Sequence, residues 1–271
     1  MHRGRRYIDM QAREWAMLDE LCSEFTDVHW NTPTELPAWN VKDVLSHLVG
    51  TESFLLGRAA MHEIQPGPHV RNPLGEMNER EVDFRRPRPG SDVLAEFRAV
   101  TAERLDVLRG LTEEQFDEIT WTPIGMDTVA VLIALRVLDC WVHEQDIRRV
   151  VGMRGHLSGD ISQHVYGRLR RGLPKAVAKG AGAPDRTSVV FEVESADSTA
   201  ISAVGVAGRR GELLEEVPDA ATVRLVMDLE TFVCLTCGRW DVDRAVRTGT
   251  LSIEGDPDLG AAVAANMNGM I

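Results

Sequence analysis

Residues 135–149, LRVLDCWVHEQDIRR, have the pattern of a helix but carry charged side chains where a helix would bury leucines. On a helical wheel, Asp139, His143 and Asp146 fall on the same face as the apolar Leu132 and Val142. Burying an ionised carboxylate costs several kcal/mol unless it is paired or binds a metal. The sequence therefore predicts that the charged side chains of this face are paired with an oppositely charged group or bind a metal ion.

Two interpretations of this face remain open. In the structural one, Asp139 accepts a hydrogen bond from His143 or from Arg136, and the pair stabilises the helix packing. In the functional one, Asp139 and His143, at positions i and i+4, bind one divalent ion from the same side of the helix. Glu144 points the opposite way on the wheel, so we do not include it in the site.

A second helix adds a third candidate ligand. In LPAWNVKDVLSHLVGTESFLLGR, residues 36–58, Asn40 is a good N-cap and Asp43 lies in the first turn, where an acidic side chain is favoured. His47 lies at the edge of the apolar stripe. Together with Asp139 and His143, it makes the two-histidine, one-carboxylate set of a catalytic zinc site that keeps one position open.

Two further acids suit a supporting role in such a site. Glu52 lies within the apolar stripe of the second helix, and Asp146 lies on the same face as His143. Histidines that bind metals usually donate their other ring N–H to a carboxylate. We therefore expect Glu52 and Asp146 to accept these hydrogen bonds and to fix the imidazole tautomers.

The elements that position these residues are helical in the first half of the chain. The apolar periodicity predicts helices over 8–25, 40–60, 91–109 and 127–151, and the Pro- and Gly-rich stretches 64–78 and 83–91 are predicted to be loops. Four long helices favour a four-helix bundle.

The second half of the chain has a different sequence pattern, in which short β-type runs alternate with helices. A predicted helix over 160–179 is followed by short β-type runs at 187–194, 199–207 and 221–228, a helix at 229–237, a further strand at 250–256 and an Ala-rich terminal helix. Residues 208–216 are predicted to be a turn and a solvated charged run. The fold class is thus α+β, with a helical bundle over 1–158 and a smaller α+β domain over 159–271.

Composition narrows the class of ligand. The net charge of −12 argues against binding to nucleic acid or an anionic membrane, and no apolar run approaches the length of a membrane span. We expect a cytoplasmic protein, monomeric or homodimeric, that binds small molecules. Its four cysteines, too few for a disulfide framework, are expected to be reduced, with Cys234 and Cys237 as buried structural thiols.

The segments WNVKDVLSHL and RVLDCWVHEQDIR together resemble the mycothiol-dependent maleylpyruvate isomerase-like family of actinobacteria, within the DinB-like metal-binding bundle superfamily. The resemblance covers nearly the whole chain, and residues 185–271 look like the family's sterol-carrier-related C-terminal domain. It implies a divalent metal, usually zinc, bound by His47, Asp139 and His143. A characterised member of the family has Glu where this chain has Asp139, which is one methylene shorter. It also implies an active-site arginine from the C-terminal domain, for which Arg239 is the candidate.

The resemblance implies an enzyme in which a metal activates the thiol of mycothiol. The thiolate would isomerise a maleylpyruvate-like substrate, or attack an electrophile and stay attached to it through sulfur (S-transfer), while Arg239 and Arg136 hold substrate carboxylates. The alternative is a non-catalytic, metal-containing protein that binds a small molecule or lipid in its C-terminal domain. A third interpretation is a protein without metal, in which Asp139 and His143 form only a buried pair.

Overall fold

The computed structural model describes residues 3–269, which form two compact units. The first unit ends at Gly155 and the second begins at His156. The first is mainly helical and the second combines helices with a five-stranded sheet. The predicted α+β class, with a helical bundle followed by a smaller α+β domain, is confirmed.

The first unit is built from six helices and one hairpin within the described residues. In chain order these are α1 (Arg3–Ser23), α2 (Asp27–Trp30), α3 (Val41–Leu55), α4 (Pro73–Arg85), α5 (Gly90–Arg109), β1 (Ile119–Thr122), β2 (Gly125–Thr128) and α6 (Val129–Val151).

The four long helices pack around one apolar core. Helix α1 contacts α5 and α6, and α3 contacts the same two helices, so the four close into a ring. Apolar residues at helical spacing face this core and are buried: Ile8, Trp15, Leu18, Val44, Leu45, Leu48, Phe97, Val100, Ile133 and Cys140. The ring fixes α3 and α6, which carry the candidate ligands, beside each other.

Local capping sets where the two helices of the site begin. Asn40 Oδ1 accepts the backbone N–H of Asp43 at 2.9 Å, and Asp43 Oδ2 accepts the N–H of Asn40 at 3.2 Å. This reciprocal pair places the start of α3 two turns before His47. At the start of α6, Thr128 Oγ1 accepts the backbone N–H of Val131 at 3.3 Å, without a return hydrogen bond, and Gly152, with φ of 71°, ends the helix.

Helix α4 corrects the sequence prediction, which assigned both of its ends to loops. Asn72 caps it and Pro73 occupies its first turn, two signals that the Pro/Gly-rich surroundings obscured. Its buried face is ionic rather than apolar, because Arg85 donates to Glu81 at 2.8 Å and to Glu96 at 2.7 Å. A helix without an apolar stripe gives no hydrophobic periodicity to detect.

The second unit contains a mixed sheet. Its helices are α7 (Gly159–Leu169), α8 (Leu173–Lys175), α9 (Leu229–Thr236), α10 (Val242–Arg247) and α11 (Pro257–Ala265), and its strands are β3 (Ser188–Glu194), β4 (Thr199–Ala207), β5 (Arg210–Leu213), β6 (Val223–Asp228) and β7 (Leu251–Gly255). The strand order is β5-β4-β3-β6-β7, with β3 and β6 parallel and the other pairs antiparallel.

One prediction for this unit was wrong. Residues 210–213, predicted as part of a turn and charged run, form the edge strand β5. The helix predicted over 160–179 is present as a continuous helical stretch that changes type, with a 3-10 segment at Arg170–Gly172 and a π-helical turn at Ala176–Gly180. An edge strand pairs on one side only, so its polar side chains gave no strand pattern.

The four cysteines of the chain are all buried, as expected for Cys234 and Cys237, and none of them forms a disulfide in the part of the chain that the structure describes. Within residues 3–269, no helix combines the length and the apolar character needed to span a membrane.

Gly50 marks the close approach of α3 to α4. A Cβ added at Gly50 would lie 2.3 Å from Glu81 Cβ, which the backbone of α4 holds in place. We expect Gly50→Ala to lower the free energy of unfolding by about 1–3 kcal/mol through overpacking. Urea unfolding followed by circular dichroism measures this. Gly75→Ala in α4 is the control, because its Cβ meets only ordinary contacts at 3.6 Å; equal effects would contradict the close packing.

Glu144, placed away from the site by the helical wheel, is fully buried against α1, close to Glu14. Burial raises the pKa of Glu14 well above its ordinary value, and the charge and hydrogen bonding of Glu144 raise it further, although Arg148 and Arg13 oppose this. Folded Glu14 therefore keeps its proton at pH values where the unfolded chain releases it. Stability is then lost as the pH rises above the ordinary value of 4.5.

We therefore expect Glu14→Gln, which cannot release a proton, to gain stability relative to the wild type as the pH rises from about 5 to 8. Urea unfolding at several pH values measures this difference. Glu20→Gln, at an exposed position of the same helix, is the control and should give no such trend. A constant difference between Glu14→Gln and wild type would contradict the raised pKa.

Candidate metal centre

The structure brings His47 from α3 together with Asp139 and His143 from α6. One ligand atom from each residue lies within 4.8 Å of the other two. His47 Nε2 is 3.3 Å from Asp139 Oδ2, and His143 Nε2 is 3.8 Å from Asp139 Oδ1. Two imidazole nitrogens and a carboxylate oxygen thus converge on one point.

The three side chains differ in exposure. The side chains of His47 and His143 are 6% and 9% exposed, whereas that of Asp139 is 25% exposed. The imidazole rings lie 4.9 Å apart between centroids, at 71° to each other. Within the first unit, the group is therefore closed on its imidazole side and more open on its carboxylate side.

Arg136 is the partner of Asp139. Its Nη1 donates to Asp139 Oδ2 at 2.6 Å, its Nε donates to Glu52 Oε1 at 2.8 Å, and its Nη2 lies 3.6 Å from Cys140 Sγ. Burial raises the pKa of Asp139, but the positive charge of Arg136 and the hydrogen bond with His47 outweigh it and hold that pKa well below its ordinary value. Asp139 is therefore ionised at neutral pH.

These contacts give Arg136 a structural role. Its side chain is only 9% exposed and its donors already face Glu52, Asp139 and Cys140. A guanidinium held in this way orients Asp139, and its part in holding a substrate carboxylate stays a prediction. Asp139 is thus paired with Arg136, as in the structural interpretation, and is also part of the candidate ligand group, as in the functional one.

Glu52 differs from the prediction. It was expected to accept an imidazole N–H, but its two oxygens face Arg136 at 2.8 Å and Arg104 at 3.3 Å. Glu52 is 1% exposed, and two arginines balance its buried charge. The error has a physical cause, since residue spacing places Glu52 on the inner face but does not identify the arginines that meet it there.

Asp146 lies beside His143, and its role in supporting a bound metal stays a prediction. His143 Nδ1 lies 3.0 Å from Asp146 Oδ2, and Arg149 donates to the other oxygen of Asp146. With Nδ1 turned to this carboxylate, the other ring nitrogen of His143, Nε2, lies on the side of Asp139.

His47 is supported differently. Burial lowers the pKa of His47, and the positive charge of Arg136 acts in the same direction, although Asp139 opposes them. Its imidazole is therefore neutral at neutral pH, the form that binds metals. Its Nδ1 is buried and has no hydrogen-bond partner among residues 3–269.

The donor set fits a divalent metal ion. Two neutral imidazoles and one carboxylate are the ligands of catalytic zinc sites, which keep a further position for water or substrate. No fourth His, Cys, Asp or Glu joins this group within the part of the chain that the structure describes. His47, Asp139 and His143 would hold the ion, while Asp146 and Arg136 would orient two of these ligands.

Arg239 lies in the second unit, in the turn that follows α9. Its backbone N–H donates to Cys234 O at 2.7 Å and its Nη1 donates to Cys237 O at 2.7 Å, next to Gly238 with φ of 68°. These contacts are those of a helix C-terminus. Its part in binding a substrate stays a prediction.

Sequence reasoning overlooked the aromatic neighbour of the two histidines. The Trp39 ring lies 5.4 Å from that of His47 and 6.4 Å from that of His143, between centroids. A signal was present, because Trp39 directly precedes the Asn40 cap and so lies at the entry to the helix that carries His47.

The ion network predicts a large stability effect at Arg136. Arg136→Met leaves Asp139 without its arginine and Glu52 with Arg104 alone, and breaking a buried pair in this way costs about 3–5 kcal/mol. Urea unfolding of metal-free protein measures the loss. Arg80→Met removes an exposed pair with Glu76 and serves as the control, with an expected cost below about 1 kcal/mol; similar costs for both would contradict the network.

Comparison with known proteins supports the resemblance seen in the sequence. Two solved structures, of the mycothiol-dependent maleylpyruvate isomerase and of a mutant of it, each match with a TM-score of 0.57 and 16% identity, over 93% of this chain and 92% of theirs. At this identity they show a shared fold. A sterol carrier protein 2-like 2 structure from Aedes aegypti is 19% identical over 39% of this chain and 97% of its own, with a TM-score of 0.31.

No curated protein sequence matches the chain significantly. The family model described as the mycothiol maleylpyruvate isomerase N-terminal domain matches residues 11–148, which include the whole candidate metal centre. Since this match extends over half of the sequence, the chain belongs to the mycothiol maleylpyruvate isomerase N-terminal domain family.

Proposed function

We propose that this protein is a metal-dependent enzyme that activates the thiol of mycothiol, for isomerisation of a maleylpyruvate-like substrate or for S-transfer to an electrophile. The convergence of His47, Asp139 and His143 within 4.8 Å is the observation that carries the proposal. Membership of the family, and the fold shared with a mycothiol-dependent isomerase, support the choice of thiol.

A zinc ion held by these residues would lower the pKa of a bound thiol, so that the thiolate exists at neutral pH. The residues around it keep the ligands in the form that this requires. Asp146 retains the Nδ1 proton of His143, burial keeps His47 neutral, and Arg136 keeps Asp139 ionised.

In the isomerisation, the sulfur of the thiolate bonds to one carbon of the substrate double bond, and the electron pair moves onto the conjugated carbonyl. Rotation about the resulting single bond follows. The electron pair then returns, the carbon–sulfur bond breaks, and the trans isomer and the thiolate are released without net oxidation or loss of atoms. Arg239 is our candidate for binding a substrate carboxylate.

In S-transfer, the same thiolate bonds to an electrophilic carbon, and the leaving group departs with its electron pair. Both reactions need the same activated sulfur and differ only in the second substrate. The exposed side of Asp139 supports an enzyme over a closed structural metal site, because a ligand set of three residues leaves room for the thiol.

Metal content tests the first part of the proposal. Protein purified without an affinity tag should hold about one divalent ion per chain, and His47→Ala and His143→Ala should each lose it. His62→Ala is the control, since His62 pairs with Asp83 outside the group and should leave the metal content unchanged. Metal-free wild-type protein of unchanged stability would refute the metal centre.

Thiol chemistry tests the second part. The zinc-loaded wild type should isomerise maleylpyruvate or consume an electrophile such as a haloalkane only when mycothiol is added. His143→Ala should lose this activity by a factor of about 100 or more, because the ion that activates the thiol is lost. If mycothiol neither binds to the metal-loaded protein nor supports either reaction, the proposed function is wrong.

A further inference from the structure

We propose that Glu79 is a positioning residue that fastens Trp39 against the imidazoles of His47 and His143, so that Trp39 forms the closed wall of the candidate metal centre. This inference rests on the proposed function, because it assigns a role around the same site. It concerns residues 31–40 between α2 and α3, which we call the strap.

The strap brings an aromatic ring to both histidines. The Trp39 ring is tilted by 35° to that of His47 and by 40° to that of His143, with centroids 5.4 and 6.4 Å away. The three rings form one cluster on the side of the group where the side chains are almost fully buried. Asp139 lies outside this cluster and is the most exposed of the three ligands.

Glu79 fixes the orientation of the indole. Its Oε2 accepts the Nε1–H of Trp39 at 2.9 Å and faces His69 Nε2 at 3.1 Å, and its Oε1 accepts from Arg86 Nη1 at 2.7 Å. These donors come from the strap, the loop before α4 and the end of α4. Glu79 is 5% exposed, so the carboxylate is a buried hub for three separate segments.

The charge of Glu79 follows from these donors. Burial raises its pKa, but the hydrogen bonds from Trp39, Arg86 and His69 outweigh this and hold the pKa below its ordinary value. An ionised carboxylate that is met only by donors makes strong, directional hydrogen bonds. A carboxamide at this position would turn an NH2 group towards one of those donors and break the arrangement.

A second ion pair fastens the same strap to α6. Arg149 Nε donates to Glu35 Oε2 at 2.7 Å and its Nη2 donates to Asp146, which in turn faces His143. Through Glu35, the strap is thus linked by Arg149 to Asp146, which contacts His143. Through Trp39, it packs against the rings of both histidines. Such double attachment holds an irregular segment in one position.

The position of Trp39 determines from which side a thiol can approach the site and whether water reaches the imidazoles. With Trp39 in place, an apolar ring covers the imidazole side, and a thiol must approach from the side of Asp139. Releasing Trp39 would let water reach the imidazoles and let their rings turn, so the metal would bind more weakly. Outer contacts of this kind commonly change metal affinity by about 10-fold or more when they act directly on a ligand.

A cobalt titration of the metal-free full-length protein tests the inference. Co²⁺ quenches the fluorescence of nearby indoles. Its binding to wild-type protein should therefore quench the fluorescence contributed by Trp39, and this part of the quenching should be missing in Trp39→Phe. Glu79→Gln should weaken Co²⁺ binding about fivefold and reduce the quenched Trp39 fluorescence by about half. The effect is smaller than that of a direct contact because Glu79 acts on the histidines only through Trp39. Glu76→Gln, which removes an exposed charge from the same helix, should match the wild type.

A double-mutant cycle separates positioning from general loss of stability. In the Trp39→Phe background the indole N–H is absent, so adding Glu79→Gln should change the Co²⁺ affinity by less than about twofold. If Glu79→Gln does not fold, Trp39→Phe alone should still weaken Co²⁺ binding about threefold and abolish the quenched component.

The outcomes separate this inference from the proposed function. Wild-type protein that binds no Co²⁺ refutes the metal centre and the inference with it. Wild-type protein that binds Co²⁺, with Glu79→Gln equal to Glu76→Gln or with quenching retained in Trp39→Phe, overturns the inference and leaves the metal centre standing.

Discussion

The buried guanidinium of Arg136 is the interaction on which the candidate site depends. A cation that is 9% exposed needs compensation, and Glu52 of α3 and Asp139 of α6 supply it at 2.8 and 2.6 Å. Asp139 lies on the same helix as Arg136, so it is the pair with Glu52 that crosses to α3 and fixes the register of α3 against α6. That register is what places His47 beside Asp139 and His143, so charge balance in the core and the geometry of the site have one cause.

Support for the three ligands is uneven. Asp139 is held by Arg136, and His143 is held by Asp146 with Arg149 and Glu35 behind it. His47 receives no hydrogen bond at Nδ1 from any residue of the described range, so packing fixes its ring. His143 is held by the carboxylate of Asp146, whereas His47 packs against the aromatic ring of Trp39. The strap therefore lies against the imidazole rings and not against Asp139.

The helical period was sufficient to find His47, Asp139 and His143, because a wheel reports which side chains share a face. It also identified Asp146, whose partner lies three residues away on the same helix. It did not reveal the partners of Glu52, which faces Arg104 of α5. It placed Glu144 away from His47, Asp139 and His143, and the structure has this residue beside Glu14 of α1. Helix α4 was missed for a related reason, since ion pairs rather than apolar side chains hold its inner face. The sequence thus reported local periodicity, whereas partners from other helices required the tertiary structure.

The Arg136 contact also bears on which ion the site would accept. Asp139 Oδ2 faces both Arg136 and His47, whereas Oδ1 is the oxygen nearer to His143. A carboxylate that shares its charge with a guanidinium is a weaker oxygen donor, so the two imidazoles contribute more of the binding. Magnesium and calcium prefer sites rich in oxygen, while zinc and its neighbours bind imidazole well. If the site binds a metal ion, the pairing of Asp139 with Arg136 therefore favours a zinc-like ion over magnesium or calcium.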